Sequence, residues 1–374
     1  MIAQRLHIVC FDIPYPANYG GAIDVFYRIR ALHAAGVRII LHCTYKGELI
    51  HYSELESLCE KVYYYPRVIS LRHLFSWMPL AVAGRPNQAI LKNLLADDAP
   101  ILYEGLVSCG TLAAPELRKR DKLFRECNVE HDYYSALAKA SHSWFDRCYY
   151  WLEARRLKRF EHVLTYATRI FALAHQDEAH FKATYPTVPT TYLPCFHAHE
   201  KVLCPNGLGK GILYHGNLRV EENIKAAEYI LQEIAPHLPE IPFTIAGLGA
   251  ETLKKHSNNV TIVTNPNQET MSRLIRDAQV HLLITFQATG LKLKLLNVLY
   301  EGRHVVCNPE MVCGTELGDI CHIASDKESI AQLCKTLYST PFQSQDQECR
   351  EKQLQTYSTA TLINTLLQYV HTKS

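Results

Sequence analysis

Residues 280–307 read VHLLITFQATGLKLKLLNVLYEGRHVVC. Two apolar runs of strand length, 280–284 and 304–307, enclose the segment 290–301, whose apolar residues recur at helical spacing. A strand, a helix and a second strand in this order form a βαβ unit with parallel strands. The stretch therefore predicts an α/β protein with a parallel sheet.

The same alternation extends outward along the chain. Prolines and glycines crowd into 186–209, which marks a boundary between two series of strands and helices. We predict two Rossmann-like, doubly wound domains, 1–195 and 196–357, followed by a terminal helix within 358–374 near the domain junction. Open parallel sheets bind ligands at the carboxyl ends of their strands, so two such domains facing each other would enclose a binding cleft. A long helix is also predicted at 132–164.

The composition of the chain limits the classes of partner and the location that we expect for it. The 374 residues are 48% hydrophobic and 20% charged, with a net charge of +2, which is typical of a globular protein and makes nucleic acid an unexpected partner. No apolar stretch reaches the roughly 18–20 residues that span a bilayer, and the first residues lack the pattern of a secretory signal. We expect a cytoplasmic protein.

The thirteen cysteines are scattered and include no CxxC pair, so free thiols are expected rather than disulfides or a zinc site. His197 and His199, near Cys195, form the one local grouping that resembles a metal site, and a structural role is favoured for them. No metal ligand is predicted.

The loop 14–21, PYPANYGG, lies between the first strand and the first helix. Gly20 and Gly21 can adopt positive φ and lack a Cβ atom, so the backbone can approach an anionic ligand, and the following helix offers N–H groups. The alternative is a tight turn from strand to helix.

Two lysines lie at the start of the helix predicted at 290–301. Basic residues are usually placed late in a helix because the amino end already carries partial positive charge. The N–H groups of Gly290, Leu291 and Lys292, together with the ammonium group of Lys294, would suit a nucleoside diphosphate. The alternative is that a lysine, Lys292 above all, is solvated on an exposed face.

Two candidates come from the first half. Glu104 ends a strand and could reach a ligand. Asn128, Glu130 and His131 place an amide, a carboxylate and an imidazole in one turn, although Asn128 could equally be the N-cap of a helix.

Several of these stretches, in order along nearly the whole chain, resemble the retaining glycosyltransferases of family four, which have the GT-B fold. They are 14–21, 214–218 (YHGNL), 289–297 (TGLKLKLLN) and 302–306 (GRHVV). The resemblance implies transfer of a sugar from a nucleoside-diphosphate sugar to a hydroxyl acceptor with retention of configuration, without a metal or a separate cofactor. It implies that Lys294 binds the diphosphate and that Glu104 and His131 orient the sugar or the acceptor.

The sequence departs from the family at the donor site. Where most members carry two glutamates, this chain has Thr289 and Asn297, and where they carry an arginine and a lysine for the diphosphate, it has Asn217 and Glu222. Asn297 could still bind a ribose hydroxyl.

The positive charge that the family supplies to the diphosphate through that arginine and lysine could here come from Arg219, Lys225 and Lys294, with Asn217 beside them. Two interpretations follow: an active, divergent transferase in cell-surface polysaccharide or glycolipid synthesis, or a non-catalytic GT-B scaffold that binds a ligand or partner. The motifs favour a transferase over a sugar-nucleotide epimerase.

Aromatic and basic residues mix at 147–159, and 73–77 is a second aromatic patch. Both suit peripheral contact with the inner face of the cytoplasmic membrane, which would present a lipid-linked acceptor. The helical spacing of Tyr149, Leu152 and Arg156 instead favours a partly buried face.

Overall fold

The computed structural model describes residues 4–141, 143–254, 257–287 and 292–370. The chain divides into two compact units, one made of Met1–Ala198 and Thr359–Ser374 and the other of His199–Ser358. Each unit contains one parallel sheet with helices interleaved between its strands. The predicted α/β class with two Rossmann-like domains is confirmed.

The first unit is built on a seven-stranded sheet of order β3-β2-β1-β4-β5-β6-β7. Its strands are β1 (Arg5–Cys10), β2 (Arg38–Tyr45), β3 (Lys61–Pro66), β4 (Ile101–Glu104), β5 (Lys122–Arg125), β6 (Arg169–Ala172) and β7 (Thr190–Tyr192). Its helices, up to residue 198, are α1 (Gly20–Ala34), α2 (Ser53–Glu56), α3 (Leu71–Leu74), α4 (Leu80–Ala83), α5 (Asn87–Leu94), α6 (Glu130–Ala140), α7 (Trp144–Phe160) and α8 (His175–Thr184).

Both faces of this sheet are buried. Leu6 and Ile8 of β1 pack on one side with residues of α1, whereas Val9 packs on the other side with Tyr103 of β4. This arrangement explains why the strands read as nearly continuous apolar runs rather than as an alternating pattern.

The second unit is built on a six-stranded sheet of order β10-β9-β8-β11-β12-β13. Its strands are β8 (Ile212–His215), β9 (Phe243–Gly247), β10 (Val260–Thr264), β11 (Val280–Leu283), β12 (His304–Cys307) and β13 (His322–Ile323). Its helices are α9 (Glu221–Tyr229), α10 (Gln268–Asp277), α11 (Leu293–Glu301), α12 (Pro309–Val312), α13 (Lys327–Tyr338) and α14 (Ser344–Leu354).

The terminal helix, α15 (Thr359–Leu367), returns to the first unit. Leu362, Leu366 and Val370 are buried in the same apolar cluster as the residues of α1. The main-chain carbonyl of Val370 also accepts a hydrogen bond from the side chain of Gln4. The segment is therefore part of the core of the first unit.

The prediction of one helix across 132–164 is wrong. The region contains α6 and α7, and Ser141 between them has extended backbone angles. Ser143 is the N-cap of α7, and its side chain accepts a hydrogen bond from the backbone N–H of Asp146. A serine that caps a new helix competes with continuation of the previous one, so the segment folds as a helical hairpin.

Among the described residues, all thirteen cysteines are free, as predicted, and Cys148 and Cys349 are exposed. No described helix combines the length and the apolar character that crossing a bilayer requires.

Candidate functional site

Each sheet reverses its strand order at one point, and the predicted ligand loops follow strands at those points. In the first sheet the neighbours are β1 and β4, and in the second sheet they are β8 and β11. Loops that follow neighbouring strands at such a switch point lead to opposite faces of the sheet and leave a crevice, where open α/β sheets bind ligands. Each unit thus has its own crevice.

Gly20 and Gly21 form the amino end of α1, which begins after the extended residue Tyr19. Both glycines are helical, so the positive φ that the sequence allowed is not used. A Cβ atom at Gly21 would lie 2.9 Å from Cζ of Phe11. The glycine therefore permits close approach between the first turn of α1 and the end of β1, and its contact with a ligand stays a prediction.

Glu104 ends β4 but is fully buried. Its Oε2 lies 2.5 Å from Nη2 of Arg28, and its Oε1 accepts a hydrogen bond from Nε of the same residue at 3.1 Å. Arg28 also contacts both carboxylate oxygens of Asp24 at 3.2 Å, and Arg125 reaches Asp24 at 3.3 Å. Glu104 thus belongs to an internal ion network that joins α1, β4 and β5.

Glu104 was expected to reach a ligand from the end of its strand; the structure pairs its carboxylate with Arg28 inside the unit, and contact with a ligand stays a prediction. Burial raises the pKa of Glu104 to about 6, against the opposing effect of the neighbouring arginines. Asp24 also accepts a hydrogen bond from the backbone N–H of Phe196 at 2.7 Å. The network holds α1, and hence the glycine loop, in place from within the unit. The sequence did not identify Asp24, Arg28 and Arg125 as members of a network. In the sequence they stand out only as charged residues within an apolar helix or strand.

His131 lies in the first turn of α6. The N-cap of this helix is Val129, so the interpretation of Asn128 as the N-cap is wrong. Nδ1 of His131 lies 3.0 Å from Oε2 of Glu161, and the imidazole is 8% exposed. The neighbouring carboxyl group of Glu130 is also buried, and burial raises its pKa to about 7. A contact between His131 and a sugar stays a prediction.

Lys294 lies in the first turn of α11, at the switch point of the second sheet. Its Nζ donates a hydrogen bond to Oδ1 of Asn223 at 3.0 Å and lies 5.1 Å from the ring centroid of Tyr214. Burial lowers the pKa of Lys294 to about 8, and the carboxylate of Glu222 opposes this shift. The site therefore contains a desolvated cation whose charge is incompletely balanced.

Glu222 stands where the resembling family has a lysine. Its carboxylate accepts a hydrogen bond from the hydroxyl of Thr285, which follows β11. His215, at the end of β8, is 4% exposed, and burial together with the charge of Lys294 lowers its pKa to about 3. His215 is therefore neutral, and Lys294 carries the positive charge of this cluster.

Asn217 and Arg219 form the turn after β8. Oδ1 of Asn217 accepts a hydrogen bond from the backbone N–H of Arg219 at 3.1 Å, and the Asn217 carbonyl accepts one from Nδ2 of Asn223 at 2.9 Å. The side chain of Arg219 is exposed. The turn thus connects to Lys294 through Asn223, a residue that sequence reasoning did not select.

The loop after β9 packs against this turn. A Cβ atom at Gly247 would lie only 1.8 Å from the carbonyl oxygen of Gly216, and Gly249 has a φ of +85°. The glycines are thus required for close packing of two backbones, which agrees with the interpretation of 247–249 as a turn rather than a dinucleotide motif.

Asn297 lies one turn further along α11. Its Oδ1 is 2.9 Å from Nε2 of His199, and Nδ1 of His199 is 3.3 Å from Oε1 of Glu301. His199 therefore has a structural role, as favoured from the sequence. The amide group of Asn297 can still donate to a ribose hydroxyl through its nitrogen, and this role stays a prediction.

Gly290, Leu291 and Thr289 lie outside the described residues. Lys292 is the N-cap of α11, so the helix begins at Leu293 rather than at 290 as predicted. The N–H groups of the first helical turn that the structure describes are consequently those of Leu293 and Lys294.

The two units together define the class of the protein: the chain has the GT-B fold. Sucrose-phosphate synthase from Thermosynechococcus elongatus superimposes with a TM-score of 0.66 and 14% identity, covering 98% of both chains. A point mutant of S. aureus TarM, in complex with fondaparinux, α-GlcNAc-glycerol and UDP, gives a TM-score of 0.65 and 10% identity over 99% of both chains.

WaaG, a glycosyltransferase involved in lipopolysaccharide biosynthesis, gives a TM-score of 0.64 and 15% identity over 98% of this chain and 100% of its own. A curated relative in sequence is an uncharacterized 44.6 kDa protein in the cps region of Klebsiella pneumoniae, 27% identical over 351 residues that cover 88% of this chain and 89% of the relative. No protein-family model matches the chain.

Proposed function

We propose that the chain is a retaining glycosyltransferase of the family-four type, which transfers a sugar from a nucleoside-diphosphate sugar to a hydroxyl acceptor. The position of Lys294 carries this proposal. A partly buried ammonium group at the amino end of a helix, at a switch point of a parallel sheet, suits a diphosphate leaving group. The GT-B fold, and the UDP bound in solved neighbours of this fold, agree with it.

In the proposed reaction, Lys294 and the N–H groups at the start of α11 stabilise negative charge as the diphosphate leaves. Arg219 and Asn217 would bind the same group from the turn after β8, and Asn297 would bind the ribose. These groups would take the place of a divalent metal ion in neutralising the phosphates, so the proposed reaction is independent of metal ions. His131 would orient the sugar or the acceptor.

The primary experiment is a thermal-shift screen of the purified protein with UDP, GDP and ADP and their sugar conjugates, with and without Mg²⁺. A ligand that binds only the folded state stabilises it by about 2.7 kcal/mol at a hundredfold excess over its Kd. We expect a shift with one nucleotide that is independent of Mg²⁺ and is at least about halved in Lys294→Met. Lys335→Met, which removes an exposed lysine of α13, is the matched control and should keep the shift.

A non-catalytic scaffold is the second candidate, and Glu222 is the observation that favours it. A carboxylate beside Lys294 repels a diphosphate, and the chain lacks both glutamates of the resembling family. If none of the nucleotides shifts the unfolding temperature, the scaffold becomes the better conclusion.

We also propose that the acceptor is carried by a membrane, as expected for cell-surface polysaccharide or glycolipid synthesis. An exposed surface of the first unit, here called the aromatic–basic surface, combines large apolar and cationic side chains. Its members are Phe75, Trp77, Trp144, Phe145, Trp151, Arg155 and Arg159.

Phe75 is 89% exposed and Trp77 is 75% exposed. The guanidinium group of Arg159 lies 5.4 Å from the ring centroid of Trp77, which joins α7 to the segment after α3. Aromatic rings with cations beside them suit the interface of an anionic bilayer.

Sedimentation with vesicles tests this surface. Wild-type protein should bind vesicles that contain anionic lipid, bind less as salt is added, and lose binding in Trp77→Ser/Trp151→Ser. Tyr166→Ser removes an aromatic residue that is 56% exposed and lies beyond the end of α7, in the turn Glu161–Tyr166, and serves as the control. Equal binding of all three proteins would contradict the proposal.

A further inference from the structure

Three titratable side chains of the first unit converge outside the nucleotide site. Nδ1 of His131 lies 3.0 Å from Oε2 of Glu161, and Nε2 of His180 lies 3.2 Å from Oε1 of the same carboxylate. The ligand atoms of the three residues all lie within 4.8 Å of one another. They come from three separate elements: α6, the turn Glu161–Tyr166 that follows α7, and α8.

The cluster is largely shielded from water. Glu161 is 3% exposed and His131 is 8% exposed, whereas the side chain of His180 is 29% exposed and leaves one open side. Nδ1 of His131 and Nε2 of His180 contact different oxygens of the Glu161 carboxylate, so one carboxylate lies between two imidazole rings.

We propose that His131, Glu161 and His180 form a Zn²⁺ site. Two imidazole nitrogens and a carboxylate oxygen are ligands that zinc binds at about 2.0–2.2 Å. Neighbouring ligand atoms in a tetrahedral site are then about 3.3 Å apart, close to the 3.0 Å and 3.2 Å that separate the two imidazole nitrogens from the two carboxylate oxygens of Glu161. The ligand atoms of the three residues lie within 4.8 Å of one another, so the two rings would move closer together on binding, and the fourth position would lie on the open side at His180, where water can bind.

Zinc binding displaces the protons from the imidazole nitrogens that face Glu161. Without zinc, each imidazole donates an N–H to Glu161; with zinc, Nδ1 of His131 and Nε2 of His180 present lone pairs. The proton of neutral His131 then resides on Nε2, which lies 3.6 Å from Oδ1 of Asp132, and any additional proton leaves to solvent. A carboxylate behind a ligating histidine orients the ring and raises its basicity.

The hydroxyl of Tyr185 provides a further fixed contact, because it donates to Oε1 of Glu161 at 3.0 Å. Zinc would thus connect α6, α8 and the turn after α7 within one unit. This inference rests on the geometry of these residues and not on the proposed transferase activity. It assigns His131 to the metal, so zinc would withdraw that imidazole from a sugar.

The test uses the full chain, freed of metal with EDTA and then titrated with Zn²⁺ against a chromophoric chelator. We expect one site that weakens at least about 100-fold in Glu161→Gln and His180→Gln, because even outer-shell changes cost about 10- to 100-fold. Asp132→Asn should weaken binding about tenfold. The matched control is His175→Gln: His175 lies on the same helix and contacts the carboxylate of Glu178 at 3.3 Å, and this variant should bind as the wild type does.

Co²⁺ absorption identifies the ligands. Four-coordinate nitrogen and oxygen ligation gives d–d bands without the thiolate charge-transfer band that the cysteines would produce. The inference is overturned if the wild type takes up no Zn²⁺ at equimolar concentration, if Co²⁺ shows thiolate ligation, or if His180→Gln binds as tightly as the wild type. Because His180 is partly exposed, its variant remains informative even if Glu161→Gln fails to fold.

Discussion

Lys294 allows a quantitative test of the nucleotide site, because burial places its titration in an accessible pH range. Its pKa is lowered from 10.5 to about 8, so the free protein loses this charge as the pH rises through 8. A bound diphosphate stabilises the ammonium form and holds its pKa higher. If only the protonated form binds, the protonated fraction, and with it the affinity, falls about tenfold between pH 7 and pH 9.

Two variants test the charge of the Lys294 side chain separately from its shape. Lys294→Arg keeps a positive charge throughout this range, so its affinity should not change between pH 7 and pH 9. Lys294→Met removes the charge and should lose about 1.5–3 kcal/mol, roughly 10- to 150-fold in Kd at pH 7, again without pH dependence. Isothermal titration calorimetry at pH 7, 8 and 9, in buffers of different ionisation enthalpy, measures both the affinity and the proton uptake.

The same lysine has a consequence for the free protein. The folded state favours the neutral amine relative to the unfolded chain, so Lys294 destabilises the protein below pH 8, and this penalty fades as the pH rises from 8 towards 10.5. The difference between 10.5 and about 8 corresponds to at most about 3 kcal/mol. Lys294→Met should therefore raise the unfolding free energy at pH 7. The reasoning is refuted if wild-type affinity is constant from pH 7 to 9 and Lys294→Met binds equally well.

Three further predictions concern other parts of the two units. Glu222→Gln should strengthen diphosphate binding by about 1 kcal/mol, roughly fivefold, in the same calorimetric assay, whereas the exposed Glu228→Gln should not; unchanged affinity would show that the carboxylate of Glu222 does not repel the diphosphate and would remove the observation that favours the scaffold. Arg28→Met should lower the unfolding free energy by about 3–5 kcal/mol in urea titrations, because it leaves the buried carboxylate of Glu104 without its partner; a loss below about 1 kcal/mol would contradict the buried network. Gly247→Ala should destabilise the second unit by about 1–3 kcal/mol, since its Cβ would clash with a backbone carbonyl, and an unchanged Tm would argue against that close approach.

Much of the fold could be predicted because its signals are local. Buried parallel strands appear as short apolar runs, and the helices between them keep an apolar face, so the sequence indicated both sheets. The break between α6 and α7 was missed because the capping serine, Ser143, is a weak signal inside an otherwise helical pattern. The start of α11 was predicted three residues too early, because Gly290 was taken as the first helical residue whereas the helix begins at Leu293.

The site was predictable only in part, since its chemistry depends on contacts between distant residues. Lys294 was selected from its place in a helix, but its partner Asn223 lies 71 positions earlier. Glu104 was correctly placed at the end of a strand, yet nothing local shows that Arg28, 76 positions away, encloses its carboxylate. The convergence of His131, Glu161 and His180 likewise has no local pattern.

The return of α15 to the first unit also determines the order in which the chain can mature during translation. The ribosome must complete the whole of His199–Ser358 before Leu362, Leu366 and Val370 exist to fill the core of the unit that was begun first. At about 5–20 residues per second, this interval is roughly 10–30 s. Until residues 359–370 emerge, part of the apolar surface of the first unit therefore stays uncovered, and this interval is when a nascent chain would most need a chaperone.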